Sequence, residues 1–279
     1  MDVRRPLIIG AKGMLGHAFA ERFASASPIL LDIEDIDITD AAQVRAKLSD
    51  LRPDVVLNAA AYTNVDKAET DRDVAERVNA LGPKHLLDAC ADVGATLIHI
   101  STDYVFDGSR AEGYVESDRG TDPVNWYGET KRQGEEALFT SPYPKWYLLR
   151  IAWLYGPHGK HFVDTMLRLG AEKGSVTVVD DQTGSPTYTR DVAERAAMLM
   201  ADDAPFGTYH VVNDGTCTWY GFAKKIFELA GMSVDVTPCT SDTFPRPARR
   251  PRYSILRCTK LPPMRRWEDA LGEYLNLSS

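Results

Sequence analysis

This sequence predicts a doubly wound α/β fold, and three observations carry the reading. Short apolar runs alternate with helical patterns through the first half of the chain, a glycine-rich turn joins the first run to the first helix, and the alternation stops near residue 150. The runs fall at 6–9, 28–31, 54–57, 95–100 and 146–151. Their unbroken apolarity is that of strands covered on both faces. Helical patterns at 13–24, 40–51, 72–93 and 124–139 separate them. Strands joined by helices at this spacing run parallel, through right-handed crossovers. Later, Pro and Gly punctuate 155–159 and 182–186, and a Pro/Arg-rich run fills 244–251. Helical patterns at 162–173, 189–200, 219–230 and 267–275 mark a smaller second unit. The expected division is a Rossmann-type domain over 1–152, completed by a segment near 184–204. A substrate-binding α/β domain then takes 153–183 and 205–279.

Composition narrows the partners. The 279 residues are 44% hydrophobic, enough for a real core and against wholesale disorder. Lys and Arg number 32 against 40 Asp and Glu, a net charge of −8, which disfavours nucleic-acid and anionic-membrane surfaces. Cys90, Cys217, Cys239 and Cys258 form no CxxC pair, a pattern of reduced thiols and neither a disulfide framework nor a zinc site. No run approaches the roughly 20 apolar residues of a membrane span. The chain enters its first strand too early for a signal peptide. The expectation is a soluble cytoplasmic protein that is a monomer or weak homodimer.

The first strand ends in Gly10-Ala11-Lys12-Gly13-Met14-Leu15-Gly16, which opens straight into a helix. Glycines permit a tight turn and let a pyrophosphate approach the helix N-terminus, where N–H groups and the dipole favour an anion. Strand, glycine turn and helix in that order, with further strand–helix units following, are the context of a dinucleotide site. Asp32, after the second strand, can accept hydrogen bonds from an adenosine ribose and disfavours a 2′-phosphate. It shares its segment with Glu34, Asp35, Asp37 and Asp40, so a solvated strand end is the competing reading. Lys12, with Arg4 or Arg5, can offset that charge, and the cofactor stays open between NADPH and NADH.

The fourth strand ends at Thr102, on the carboxyl edge where such sheets bind ligands. Tyr127 and Lys131 follow as a YxxxK pair, four apart and so on one helix face. An ammonium beside a phenol stabilises the phenolate and lowers its pKa. Tyr127 can then protonate the alkoxide formed when hydride reaches a carbonyl, with Thr102 holding the oxygen and Lys131 reaching the nicotinamide ribose.

The glycine loop, Thr102 and Tyr127/Lys131 together resemble the extended short-chain dehydrogenase/reductases, which act on nucleotide sugars. Four stretches, Val56 to Glu69, Ser101 to Gly108, Asn125 to Lys131 and Asp181 to Thr187, are similar to the dTDP-4-dehydrorhamnose reductase family. Pro247 to Ser254 is similar as well. The resemblance implies reduction of the C4 ketone of dTDP-4-dehydro-6-deoxy-L-mannose, with Thr102, Tyr127 and Lys131 catalytic. It places Asp103 and Trp153 on the sugar, and Asp37, Ile38, Ala60, Ala61, Tyr62 and Thr63 at the adenine and ribose end. Some members join subunits through a magnesium site of glutamates; Ala18 and Arg190 stand where two of these belong, so no metal is expected.

Weaker signals are weighed against plainer readings. His158 and His161 bracket Gly159-Lys160 but lack further ligands, which favours a loop. Arg249 and Arg250 suit a clamp for the substrate diphosphate as well as a solvated loop anchored by prolines. Trp219-Tyr220-Gly221-Phe222 reads as core packing. Three other functions compete. A 4,6-dehydratase is disfavoured, because Thr102-Asp103-Tyr104 lacks the glutamate such enzymes carry after the threonine and aspartate. A reductase of another nucleotide-linked 4-keto-6-deoxy sugar stays open. So does a non-catalytic NADP-binding regulatory subunit, like that of methionine adenosyltransferase.

Overall fold

The computed structural model describes residue 3 and residues 5–277. Arg4 lies outside the described residues. The first half builds β1 (Pro6–Ile9), α1 (Met14–Arg22), β2 (Ile29–Leu31), α2 (Ala41–Leu51) and β3 (Val55–Asn58). Next come α3 (Val65–Ala68), α4 (Arg72–Glu76), α5 (Gly82–Val93), β4 (Thr96–Thr102), α6 (Trp126–Phe139) and β5 (Trp146–Ile151). The second half contains β6 (Leu154–Tyr155), α7 (Phe162–Lys173), β7 (Ser175–Val179), β8 (Thr183–Gly184), β9 (Thr187–Tyr188) and α8 (Thr189–Ala201). It ends with β10 (Gly207–His210), β11 (Cys217–Thr218), α9 (Trp219–Leu229), β12 (Asp235–Cys239), β13 (Tyr253–Ser254) and α10 (Trp267–Leu277).

The main sheet is parallel, in the order β10-β5-β4-β3-β1-β2. One face packs on α1 and α8 through Ile8, Phe19, Leu57, Val192 and Ala196. The other packs on α2 and α5 through Leu7, Ile9, Val44, Leu48, Leu86 and Leu97. Because β1 is flanked by β2 and β3, the chain reverses its winding there, and a crevice opens at the carboxyl ends of β1 and β3. The second lobe gathers α7, α9 and α10 around Tyr155, Phe222, Ile226 and Leu271. Among the described residues no helix is long and apolar enough to cross a membrane.

Two differences from the sequence reading have physical causes. The segment that completes the main sheet runs past residue 204, since β10 pairs with β5 along its whole length. That strand, Gly-Thr-Tyr-His, has too little apolar continuity to announce itself. The expected helix 72–93 is interrupted by a π turn over Arg77–Leu81. Such a turn has no clear sequence signature and often sits at a functional site. Here it carries Asn79, buried, whose Oδ1 accepts the Tyr62 N–H at 2.9 Å while its Nδ2 donates to the Tyr62 carbonyl and the Thr130 hydroxyl. Asn79 thereby ties the loop after β3 to α6.

Candidate active site

Gly10 leaves β1 with φ of +78°, and a Cβ there would stand 2.7 Å from the Ala60 nitrogen. A Cβ on Gly16 would stand 2.1 Å from the Gly10 carbonyl oxygen, so glycine is what lets α1 begin hard against the turn. No side chain caps α1 at Gly13, which leaves its first-turn N–H groups for a ligand.

A cavity of about 890 Å3 opens over this crevice. It is lined by Gly10, Gly13, Met14, Leu15, Asp32, Asp37, Ile38, Ala60, Ala61, Tyr62, Thr63, Thr102, Asp103, Tyr127, Lys131 and Trp153. Gly16, Arg249 and Arg250 stand outside its wall. Gly16 acts through the loop's shape. The Arg250 guanidinium bonds Asp66 at 3.0 Å and the Ala248 carbonyl at 2.7 Å. The Arg249 side chain is exposed, and its carbonyl accepts from Asn125. The Pro/Arg run is thus anchored beside the start of α6.

Asp32 accepts the Lys12 and Ile33 N–H groups at 2.8 and 2.9 Å, which aims its carboxylate along the glycine turn. The Lys12 ammonium pairs with Glu34 at 2.9 Å, both exposed. Arg5 sits at the opposite end of β1, its N–H on Asp54, and so cannot offset Asp32 as expected. Asp32→Ala is expected to raise the preference for NADPH over NADH roughly tenfold, the worth of one hydrogen bond to a charged group. Ratios of kcat/KM for the two cofactors measure it; an unchanged ratio removes Asp32 from the ribose.

Asn125 caps α6 through the Gly128 N–H at 2.8 Å, which sets Tyr127 in the first helical turn. Thr102 donates its hydroxyl to Asp103 Oδ1 at 2.7 Å and accepts the Tyr104 N–H at 3.2 Å. Asp103 is buried, and among the described residues its Oδ2 has no hydrogen-bond partner. Burial pushes its pKa up to about 7, against the pull of the Thr102 and Ser254 hydroxyls. Burial also raises the Tyr127 phenol well above its ordinary value, with Thr102 opposing, so the phenol holds its proton at neutral pH. Lys131 was expected to lower that pKa. Instead its ammonium donates to the Ile100 carbonyl at 2.6 Å, and burial brings it down to about 8.

Trp219 packs on the core of the second lobe as expected, but its place in the cavity wall was not foreseen. It stacks on Trp153 with ring centroids 3.5 Å apart and planes 7° from parallel, and both line the cavity. Of the same tetrad, Phe222 lies in the core as expected. Trp153 takes φ of +45° and donates its indole N–H to Ser254 at 3.1 Å. A run of aromatic residues at a helix start carries no mark separating core from cavity wall; the positive φ that turns Trp153 toward it is invisible in sequence. Lys160 also lines the cavity, next to Gly159, which packs on Met14. His161 is buried against Tyr274 and Asp164, and His158 stacks on His17, so the two histidines do not converge.

The residues fit a dinucleotide. The uncapped α1, a turn that only glycine fills, and an unpartnered buried carboxylate at the far end supply anion, backbone and polar contacts in one cleft. A doubly wound sheet with this turn, a strand-end threonine and a YxxxK helix along one cavity defines a nicotinamide-dependent short-chain dehydrogenase/reductase of the extended type. The model of the RmlD substrate binding domain matches residues 4–279. A dTDP-4-dehydrorhamnose reductase of Streptomyces griseus is 45% identical, over 96% of this chain and 92% of the relative. A probable dTDP-4,6-dihydroxy-2-methyloxan-3-one 4-ketoreductase of Streptomyces antibioticus is 42% identical, over 96% of this chain and 94% of the relative. The crystal structure of a Bacillus anthracis dTDP-4-dehydrorhamnose reductase in complex with NADP superposes with a TM-score of 0.94 at 39% identity, over 99% of this chain and 100% of that one. This chain belongs to the dTDP-4-dehydrorhamnose reductase family.

Proposed function

We propose that this protein reduces the C4 ketone of dTDP-4-dehydro-6-deoxy-L-mannose to dTDP-L-rhamnose, using NADPH or NADH. The observation that carries this reading is the meeting, in one cavity, of Thr102, Tyr127 and Lys131 with the buried carboxyl of Asp103 and the Trp153 indole. A bound nicotinamide supplies the hydride. The Tyr127 phenol, protonated at neutral pH, gives its proton to the ketone oxygen as charge develops there. Thr102 positions that oxygen by turning its hydroxyl proton from Asp103 Oδ1 to the ketone. The Asp103 Oδ2, without a partner among the described residues, is matched to a sugar hydroxyl, and the flat Trp153–Trp219 face suits the sugar's apolar side. The first-turn N–H groups of α1, with Lys160 close by, suit the cofactor pyrophosphate. The similarity to the S. antibioticus relative supports a second reading, a different nucleotide-linked 4-keto-6-deoxy sugar. The four free cysteines suit a reducing cytoplasm, and we place the protein there as a monomer or weak homodimer.

The deciding experiment follows NAD(P)H absorbance with a panel of dTDP-linked keto sugars and both cofactors. Oxidation with the L-mannose derivative ahead of the others supports the first reading, another preferred sugar the second, and no oxidation with any overturns both. Trp219→Ala is expected to raise KM for the sugar roughly 3- to 10-fold, the range of one aromatic pair, with a smaller change in kcat. An unaltered KM confines Trp219 to packing against Trp153.

A further inference from the structure

Behind Lys131 lies a buried polar chain that the reaction as described does not use. Asn58, at the end of β3, and His99, in the middle of β4, are 1% and 0% exposed. Asn58 Oδ1 accepts the Ala60 N–H at 3.2 Å. That contact fixes which way the amide points, because a backbone N–H can only donate. Asn58 Nδ2 therefore faces His99 Nδ1, at 3.1 Å, and donates to it. Burial and the nearby Lys131 charge hold the His99 pKa far below its ordinary value, so the ring is neutral and has one N–H. With Nδ1 accepting, the proton must sit on Nε2. That nitrogen is 3.5 Å from Lys131 Nζ.

We infer that His99 is a positioning residue which, locked by Asn58 in its Nε2–H form, presents a donor to Lys131 and denies its ammonium an inward acceptor. Two donors face each other across this contact. The ammonium's protons are consequently directed to the Ile100 carbonyl at 2.6 Å and into the cavity, where Tyr127 and the cofactor ribose would be met. The N–H dipole also opposes the charged form of Lys131. Among the described residues, the amine faces His99 on β4 and the Ile100 carbonyl, with Tyr127 one turn earlier on α6 and Glu135, which favours the charge, one turn later. Burial acts downward and Glu135 upward, which brings the amine to about 8; the His99 dipole acts in the same direction as burial.

The inference rests on the reductase reading for its consequence but not for its test. The first measurement is 15N NMR of the wild-type protein with labelled histidine, which separates the tautomers without substrate. A neutral His99 carrying its proton on Nε2 is expected; a proton on Nδ1 overturns the inference, whatever the protein reduces. The second is the Asn58→Asp variant, whose carboxylate accepts from Nδ1, inverts the tautomer and turns the Nε2 lone pair toward Lys131. The Lys131 titration, followed by NMR of labelled lysine, and the alkaline limb of kcat should then both move up by about one unit, the scale of shift a single new neighbour produces. A folded variant with both unmoved overturns it. Should the variant not fold, the wild-type tautomer still decides. A variant whose lysine titration moves while no keto sugar is turned over separates failure of the reductase reading from failure of this one.

Discussion

Tyr127→Phe is expected to lower kcat at least about 100-fold while leaving the affinity for NADPH nearly intact, the magnitude of losing a general acid. The substitution removes one hydroxyl and keeps the ring, which packs edge-on against Tyr104 at 5.8 Å. Neither α6 nor the glycine turn depends on that hydroxyl, so a drop in turnover reads the proton and not the fold. Single-turnover oxidation of NADPH, beside a fluorescence titration of cofactor binding, separates the two. Unchanged turnover would move the role to Asp103, the other buried acid beside Thr102, and that alternative has its own signature. With a pKa of about 7, Asp103 gives up its proton as the pH rises, so activity would fall through neutrality. A phenol raised by burial instead keeps its proton throughout that window.

The features legible in the sequence were those set by local chemistry. Five strands and the helices between them follow from apolar continuity and 3.6-residue periodicity, because both faces of a parallel sheet must be covered. Gly10 and Gly16 were legible because no other residue fits a turn whose backbone approaches itself so closely. Thr102, Tyr127 and Lys131 were legible as types at a spacing. Harder to see was whatever depends on elements distant in sequence meeting. Trp219 comes to Trp153 only when α9 docks on the segment after β5. The Arg250 charge is answered by Asp66, far earlier in the chain, so a basic run that looks like a phosphate clamp is already paired. Arg5 is near Gly10 in sequence but at the other end of a strand. The YxxxK spacing shows one neighbour of the phenol, Lys131, but burial, which no spacing reveals, is what raises its pKa.

The buried pair Arg150–Glu135 was likewise out of reach of the sequence, and its removal has the largest consequence for stability. Arg150 on β5 and Glu135 on α6 are both fully buried, with Arg150 Nη2 and Nε 2.7 and 2.9 Å from the carboxylate. Ser101, next to Thr102, donates to the same carboxylate at 2.6 Å. Glu135→Gln keeps the shape but leaves a guanidinium charge in a dry interior, and should destabilise the protein by roughly 3–5 kcal/mol, measured by urea unfolding. Replacing both partners by apolar residues of similar volume should recover much of that loss, since the penalty comes from the uncompensated charge. A single variant as stable as wild type would mean that the Asp118 carbonyl at 2.9 Å, with His210 Nε2 and the Phe106 ring, suffices to hold the guanidinium. The same substitution reaches the site. Glu135 favours the Lys131 ammonium one helical turn away, so its neutral replacement should lower the lysine's pKa from about 8 and bring the alkaline limb of activity down, opposite to Asn58→Asp. Opposite shifts from the two ends of Lys131 would establish that its charge is set by the buried groups behind it.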